Sequence, residues 1–237
     1  RKILLPKRSS IGKIGLLSLL QTVLQYLFFY IGLAHTTGVK ASIIEAVSTF
    51  VAILVAGYLF HQETVTSRKM LGCLIGFAGV VLVNVAGSGM DFHFSPAGDG
   101  CILLSTVAYA FSSVCMKRFS QKEDPVMLSG YQFIFGGIVM IACGAAMGGH
   151  LKAFTASAAA LLIYMAMISA VAYSLWGMLL KYNPVSKVTV FGFMNPVIGV
   201  ILSALLLNET ESLGVSSVLA LGLVCVGIYI VNAKAKE

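Results

Sequence analysis

The stretch Lys40–Glu63, KASIIEAVSTFVAILVAGYLFHQE, decides how this chain folds. It has the length of one membrane-spanning helix, since about 20 apolar residues at a rise of ~1.5 Å each cross a bilayer core. One carboxylate, that of Glu45, lies inside the apolar run. A degenerate copy, KVTVFGFMNPVIGVILSALLLNE, occupies Lys187–Glu209, and 209 − 63 = 146 positions separate the terminal glutamates. A helix of this kind, occurring twice, indicates a membrane protein with an internal duplication.

The composition supports a membrane location. Of the 237 residues, 58% are hydrophobic and 11% are charged, and the mean hydropathy is +0.93, whereas a soluble domain has about 25% charged residues. A soluble fold of this size could not cover so much apolar surface, so we expect the lipid bilayer to be the solvent. The formal charge is +7. Because the basic residues lie between apolar runs, we interpret them as topology signals and expect no nucleic-acid partner.

Apolar runs bounded by charge predict eight transmembrane helices. The predicted spans are Ile14–Leu33, Ala41–Phe60, Met70–Val85, Cys101–Met116, Val126–Met147, Ala158–Leu180, Val188–Leu207 and Leu213–Val231. All of the sixteen Lys and Arg residues except Lys40 and Lys152 lie in gaps on one side of this arrangement. The positive-inside rule therefore predicts a multi-pass protein of the cell membrane with both termini in the cytoplasm.

The first three and the last three spans resemble each other. When Tyr30–Thr64 is aligned with Trp176–Thr210, both copies close their middle helix with Glu-Thr, and a two-residue shift also aligns Gly79 with Gly227. The copies start five helices apart, an odd number, so they have opposite orientations. This pattern predicts an inverted-topology repeat, as in many secondary transporters.

The repeat divides the chain unequally. Residues 1–90 form an incomplete first repeat and residues 91–237 a second one, because the fourth and fifth spans have no partner in the first half. The expected fold is an all-α polytopic helix bundle, with eight transmembrane helices from an inverted five-plus-five repeat whose first two helices are absent. By this arithmetic, two further helices are expected before Arg1.

Several short motifs carry a family resemblance. They are Gly32-Leu33-Ala34, Ala41-Ser42-Ile43, Glu63, Gly72 through Gly79-Val80-Val81-Leu82, Asn195-Pro196-Val197, Leu205-Leu206-Leu207-Asn208-Glu209 and Gly227-Ile228-Tyr229. Their order and spacing resemble the EamA-type branch of the drug/metabolite transporter superfamily, at family helices three to ten. The resemblance implies a ten-helix carrier of two inverted repeats that moves small metabolites, often amino acids. Thr49-Phe50 departs from this pattern, because many relatives have a proline there as well as at the position of Pro196.

Glu45 is the sharpest candidate for function. It belongs to a stripe of polar and small residues at helical spacing, which comprises Ser42, Glu45, Ser48, Thr49, Ala52 and Ala56. Contact between such a stripe and lipid is unfavourable, since an ionised side chain at the bilayer centre costs about 2.5–3.5 kcal/mol. We expect Glu45 to contact a substrate amine or to act as a protonatable coupling group. The alternative is a carboxylate that reaches the outer surface and pairs with Lys40.

Other spans carry matching polar faces. The expected substrate-binding residues are Gln25, Glu45, Ser48, Thr49, Tyr109, Tyr173, Trp176 and Asn195. The helix that carries Asn195 has a stripe of polar and small residues, which comprises Thr189, Gly192, Asn195, Gly199 and Ser203. Pro196 frees a backbone carbonyl beside Asn195, which suits a cavity wall, and the small residues also suit close helix packing. Gln21 and Gln25 suit interhelical hydrogen bonding, and Trp176 suits an interfacial anchor as well as a cavity wall. Glu63 and Glu209 are expected to hold the following loop or to cap the next helix.

The expected function is a secondary transporter, with efflux as its direction, that moves amino acids or related metabolites by alternating access. No Walker motif or HExxH is present and no Asp lies inside a span, so no enzyme, cofactor or metal site is predicted. Beyond lipid and substrate, a homodimer through Gly72-xxx-Gly76 or Gly144-xxx-Gly148 is the partner expected. The alternative is a non-transporting assembly partner, or a truncated and inactive fragment of such a carrier.

Overall fold

The computed structural model describes residues 5–85, 94–149, 155–198, 202 and 215–233. Within these ranges the chain forms eight apolar helices and no strand. In chain order they are α1 (Arg8–Leu33), α2 (Lys40–Leu59), α3 (Ser67–Val85), α4 (Pro96–Ser120), α5 (Pro125–Ala146), α6 (Ala156–Tyr182), α7 (Val185–Ile198) and α8 (Val215–Asn232). Among them α1 to α6 are long and apolar enough to cross a membrane. The prediction of an all-α polytopic membrane protein is confirmed.

Some sequence predictions fall outside the described ranges. They concern the second half of the predicted span Val188–Leu207, the start of Leu213–Val231, and the residues Arg1, Lys2, Lys152, Gly199, Ser203, Glu209, Lys234 and Lys236. The structural role of Glu209 and the full count of basic residues on each side therefore stay predictions.

Polar caps explain why α5 and α6 begin before their predicted spans. The side chain of Asp124 accepts hydrogen bonds from the backbone N–H of Val126 at 2.9 Å and of Met127 at 3.0 Å, so α5 begins one residue early. Thr155 caps α6 in the same way and accepts from Ala158 N–H at 3.2 Å. A capping side chain satisfies backbone donors that the first turn leaves unpaired. The apolar runs alone could not reveal these polar ends.

α2 and α7 depart from regular α-helical geometry in their middle, and α1 is π-helical over Ser18–Leu24. α2 is interrupted at Val47, whose N–H bonds the carbonyl of Ile44 at 3.0 Å. α7 tightens to a 3₁₀ turn over Val190–Phe193, just before Pro196, whose missing N–H leaves the carbonyl of Gly192 without its helical partner. Irregular backbone inside a membrane is tolerated where it is buried in protein or lines a cavity. The irregular segments of α2 and α7 adjoin the cavity described below.

The backbones of α3 and α8 touch along glycines. A Cβ atom at Gly72 would lie 2.9 Å from the carbonyl oxygen of Gly227, and one at Gly79 would lie 2.7 Å from that of Ala220. The start of α3 thus meets the end of α8, so the two helices are antiparallel. The offsets 227 − 79 and 220 − 72 are both 148, so the alignment of the two copies converts the first contact into the second. This antiparallel sense is the one that an inverted repeat requires.

The motif Gly72-xxx-Gly76 makes its helix contacts within the chain. A Cβ atom at Gly76 would lie 2.5 Å from the ring of Phe193, and Gly72 faces Gly227. Small residues let helices approach closely in a membrane, and here they bring α3 against α7 and α8. The homodimer stays a prediction, and this motif would have to leave its intramolecular contacts to support it.

Two hydrophobic clusters share α2. One contains Ala52 and Ala56 of α2 with residues of α1, α4, α5, α6 and α7. The other contains Ala46 and Ile53 of α2 with residues of α3, α7 and α8. α2 therefore lies at the centre of the bundle, and so does its polar stripe.

Candidate functional site

A polar cavity of about 680 Å³ lies where α2 meets its neighbours. Six helices contribute to it: α1, α2, α3, α4, α6 and α7. Its described lining consists of Gln25, Tyr26, Phe29, Ser42, Glu45, Ala46, Ser48, Thr49, Asn84, Ser105, Thr106, Tyr109, Tyr173, Thr189, Gly192, Asn195 and Pro196. Pockets of about 300–1,000 Å³ are the size that holds small molecules.

Most of the predicted substrate-binding residues meet in this cavity. Those that line it are Gln25, Glu45, Ser48, Thr49, Tyr109, Tyr173 and Asn195. They come from α1, α2, α4, α6 and α7, so segments far apart in sequence converge on one space. Their role in binding a substrate is taken up below as a proposal.

Glu45 is the one carboxylate among the described lining residues. The described chain gives it no hydrogen bond and no ion pair. The Nζ of Lys40, its alternative partner, lies 3.9 Å from Oδ2 of Asp99. Ionisable residues inside a membrane span are costly and mark functional sites by default. An unpaired carboxylate in a polar cavity fits that rule.

α7 supplies another wall of the cavity. Thr189, Gly192, Asn195 and Pro196 line the cavity on this helix. The hydroxyl of Thr49 donates a hydrogen bond to the carbonyl of Thr189 at 3.1 Å, which joins α2 to α7 at the cavity edge. The polar stripe of α7 therefore both packs against α2 and lines the cavity.

The two glutamines of α1, Gln21 and Gln25, have different roles. Gln21 accepts a hydrogen bond from the hydroxyl of Ser112 on α4 and donates to Gln25 Oε1 at 3.1 Å. Gln21 is 2% exposed and joins α1 to α4, so the predicted interhelical hydrogen bonding is present. Gln25 reaches the cavity one turn later. The hydroxyls of Tyr26 and Tyr173 lie 2.8 Å apart and join α1 to α6.

Trp176 does not line the cavity. It lies three residues, about one helical turn, beyond Tyr173 on α6, and its ring centroid lies 6.3 Å from that of Tyr109. The ring packs against the apolar cluster that contains Leu180, and its Nε1 is buried without a hydrogen-bond partner in the described chain. Trp176 thus supports the wall residue Tyr109 from behind. Its side chain is partly buried in the bundle, and its predicted role as an interfacial anchor stays a prediction.

Ten described lining residues are missing from the predicted substrate-binding set, namely Tyr26, Phe29, Ser42, Ala46, Asn84, Ser105, Thr106, Thr189, Gly192 and Pro196. Asn84 is the one polar residue near the end of α3, and the alignment of the copies pairs it with Asn232. The sequence therefore contained a signal that could have identified Asn84. Tyr26 follows Gln25 directly. Phe29 carries no polar signal, because an aromatic residue on a transmembrane helix usually faces lipid or core.

Glu63 joins α3 and α7 at one end of the bundle. Its side chain is 5% exposed and accepts hydrogen bonds from the Nζ of Lys69 at 2.8 Å, the backbone N–H of Ser186 at 2.9 Å and the hydroxyl of Ser186. Lys69 lies in the first turn of α3, so the predicted role in holding the following loop is confirmed. The capped helix is α7 rather than the next helix, since Ser186 lies in the first turn of α7.

Further hydrogen bonds close the same end. The Nζ of Lys117, near the end of α4, donates to the carbonyl of Asn183 at 2.7 Å. The side chain of Gln121 donates to the carbonyl of Lys181 at 2.9 Å. The cavity-lining residues of α2 and α4 lie in the first halves of these helices, so this polar layer lies beyond the cavity, at the opposite ends.

Comparisons with known proteins give one consistent result. Residues 1–85 and 96–233 match the EamA-like transporter family. The uncharacterized transporter YvbV of Bacillus subtilis (strain 168) is 27% identical over 227 residues, which are 92% of this chain and 71% of that protein. An uncharacterized transporter of Archaeoglobus fulgidus is 28% identical over 239 residues, 98% of this chain and 80% of that protein.

A plant relative and a solved structure extend this result. The WAT1-related protein At3g02690, chloroplastic, of Arabidopsis thaliana is 28% identical over 211 residues, and this chain spans 50% of its length. One crystal structure superposes with a TM-score of 0.79 at 18% identity and covers 96% of this chain and 79% of its own, which shows the fold alone. The family match covers both copies of the repeated helix and every described lining residue of the cavity. The chain belongs to the EamA-like transporter family.

Proposed function

We propose that this protein is a secondary transporter that moves small metabolites across the cell membrane by alternating access. The observation that carries the proposal is the polar cavity of about 680 Å³, built where α2 and α7 pass in opposite directions. In transporters with inverted repeats, the substrate site lies near the membrane midplane at the repeat interface, between discontinuous helices. The interruption of α2 at Val47 and the 3₁₀ turn of α7 supply that discontinuity.

The contacts of Glu63 support an alternating mechanism. Glu63, four residues after α2, holds the start of α7, and α2 and α7 belong to different repeats if 1–90 and 91–237 are the moving units. From the positive-inside rule we infer that this end lies in the cytoplasm, together with both termini. The described conformation is then closed toward the cytoplasm, and inward opening separates Glu63 from Ser186. Efflux requires that opened state to take up substrate from the cytoplasm.

Transport itself is tested in proteoliposomes. The purified protein is reconstituted, the vesicles are loaded with a mixture of unlabelled amino acids and amines, and counterflow of each radiolabelled compound is measured. We expect accumulation of at least one compound, and a reduced but measurable accumulation in the Glu45→Gln variant. The matched control is Glu123→Gln, the same change at a carboxylate outside the cavity. Fluxes equal to those of protein-free vesicles for all compounds would contradict the proposal.

Glu45 is also proposed as the proton-coupling group. It is the one carboxylate in the described lining, and a carboxylate can carry a proton across when the cavity changes sides. The test is the pH dependence of flux in wild type and in Glu45→Gln. A pH dependence that survives unchanged in the variant would remove Glu45 from this role.

A second candidate, an assembly partner within the membrane, is favoured by one feature of α6. The most apolar window of Ala156–Tyr182 contains no buried residue within the described chain. Such a face suits either lipid or the helices of another protein. Cysteine crosslinking from Leu161, which is 59% exposed on this face, tests it. A specific crosslinked protein, together with absent flux, would favour this candidate over transport.

A further inference from the structure

We infer that the cavity selects small organic cations, and that protonated amines are favoured over neutral, anionic or zwitterionic compounds of the same shape. This inference rests on the proposed function and narrows its substrate class. It follows from three features of the described lining: one unpaired negative charge, an absence of positive charge, and a set of aromatic rings.

Among the described lining residues, Glu45 alone carries a charge. The described lining residues include no Lys, Arg or His. The nearest lysine along α2, Lys40, has its Nζ 3.9 Å from Asp99, and Thr36 donates a hydrogen bond to the same carboxylate. Glu45 has no such partner in the described chain. A ligand cation would supply the partner that the carboxylate lacks.

The aromatic residues suit the same ligand. Tyr26, Phe29, Tyr109 and Tyr173 all line the cavity. A cation over the face of an aromatic ring is attracted by the ring's quadrupole, and more strongly where water is excluded. The Tyr173 ring is held in place, because its hydroxyl lies 2.8 Å from that of Tyr26 and its centroid lies 4.7 Å from that of Phe133. Fixed rings around a carboxylate form a site that recognises an ammonium group.

The remaining polar groups do not favour an anion. They are the amides Gln25, Asn84 and Asn195 and the hydroxyls of Ser42, Ser48, Thr49, Ser105, Thr106 and Thr189. These uncharged groups can orient a substrate hydroxyl or amide. A substrate carboxylate would meet them without a compensating cation and would also be repelled by Glu45. An amino acid therefore binds less well than the amine with the same side chain.

Binding to the purified protein in lipid nanodiscs tests this inference at about pH 8, where amines are protonated. Isothermal titration compares one scaffold in four charge states: phenethylamine, 2-phenylethanol, phenylalanine and 3-phenylpropionate. A second pair, choline and 3,3-dimethyl-1-butanol, repeats the cation–neutral comparison with a compact ligand. We expect the cation of at least one pair to bind about tenfold or more tightly than its neutral analogue. Phenylalanine and 3-phenylpropionate should bind more weakly than phenethylamine.

Variants assign the preference to Glu45. Glu45→Gln should abolish the difference between cation and neutral analogue, Glu45→Asp should retain part of it, and Glu123→Gln should leave it unchanged. Thermal unfolding of each variant reports whether it is folded. No cation binding at millimolar concentration, equal binding of cation and neutral analogue, or a preference that persists in Glu45→Gln would each overturn the inference.

The result is distinguishable from a failure of the proposed function. If cations bind through Glu45 but none crosses the membrane in proteoliposomes, the transport proposal fails and the inference stands. If neutral or zwitterionic metabolites cross while no cation binds, the transport proposal stands and the inference is overturned.

Discussion

The carboxylate of Glu63 accepts a hydrogen bond from the backbone N–H of Ser186, 123 residues later in the chain, at 2.9 Å. The bond joins the end of one copy of the repeated helix to the start of the other. A carboxylate at a helix N-terminus is stabilised by the unpaired N–H groups and by the helix dipole. The ion pair between Glu63 and Lys69 at 2.8 Å brings the start of α3 to the same point. Three helices thus share one buried charge.

Replacing Glu63 with Gln should destabilise the protein. The change leaves Lys69 without its carboxylate in a site that is 16% exposed and weakens the cap of α7. We expect a loss of about 1–3 kcal/mol, the range for a buried charge-assisted group. Thermal unfolding in detergent measures it, and the loss should exceed that of Glu123→Gln, whose surface ion pair contributes no more than about 1 kcal/mol. An unchanged unfolding temperature would show that the contact does not stabilise this conformation.

The contact between α3 and α8 should tolerate no side chain at Gly227. A Cβ atom there would lie 2.6 Å from both the carbonyl oxygen of Gly72 and the backbone nitrogen of Gly76, and backbone cannot move aside cheaply. Gly227→Val should cost at least about 2 kcal/mol by overpacking. Gly222→Val on the same helix is the matched control, because a Cβ atom at Gly222 has nothing within 4 Å. Equal unfolding temperatures for the two variants would contradict this packing.

Filling the cavity should block flux without unfolding the protein. Gly192 lines the cavity, and a Cβ atom there would have nothing within 4 Å. Gly192→Phe should therefore fold and remove most counterflow, because its ring occupies the substrate's space. Gly130→Phe, at an equally open glycine of α5 outside the described lining, is the control. Undiminished flux in a folded Gly192→Phe variant would place the transport route elsewhere.

The ion pair between Lys13 and Glu123 should make stability depend on pH. The Lys13 ammonium, at 2.8 Å, holds the pKa of the Glu123 carboxyl below its ordinary value. A depressed pKa gives a stabilisation that is fully present above the unfolded-state pKa of about 4.3 and is lost as pH falls through the folded-state value. Glu123→Gln should therefore unfold at a lower temperature than wild type at neutral pH, by no more than about 1 kcal/mol. The difference should shrink as pH falls below about 4.3 and vanish below the folded-state pKa; a constant difference across this range would exclude the ion pair as its cause.

Helical periodicity was sufficient to predict which faces of the helices meet. The spacing of Ser42, Glu45, Ser48 and Thr49 indicates one polar face of α2, and all of these residues line the cavity. Periodicity cannot show how far along a helix the cavity extends. Trp176 shares a face with Tyr173, yet it packs into the core because the cavity ends one turn earlier.

The local sequence pattern could not predict contacts between residues that are far apart in the chain. The repetition of Glu63 indicated a structural role, but its bond to Ser186 depends on how the two copies pack, which no local spacing encodes. Helix ends were misplaced for a related reason, since a cap such as Asp124 lies outside the apolar run that it extends. The antiparallel relation of α3 and α8, by contrast, follows from the odd number of helices between the copies.

Side-specific labelling of the cavity tests the central claim of alternating access most directly. Ser48, which lines the cavity, is changed to Cys in a protein whose native cysteines are replaced, and a membrane-impermeant maleimide is added from one side of oriented vesicles at a time. We expect labelling from the outer side, slow labelling from the cytoplasmic side, and a rise of the cytoplasmic rate by about tenfold in Glu63→Gln, equivalent to about 1.4 kcal/mol. Equal rates from both sides in the presence of Glu63, or a cytoplasmic rate that Glu63→Gln leaves unchanged, would contradict the proposed mechanism.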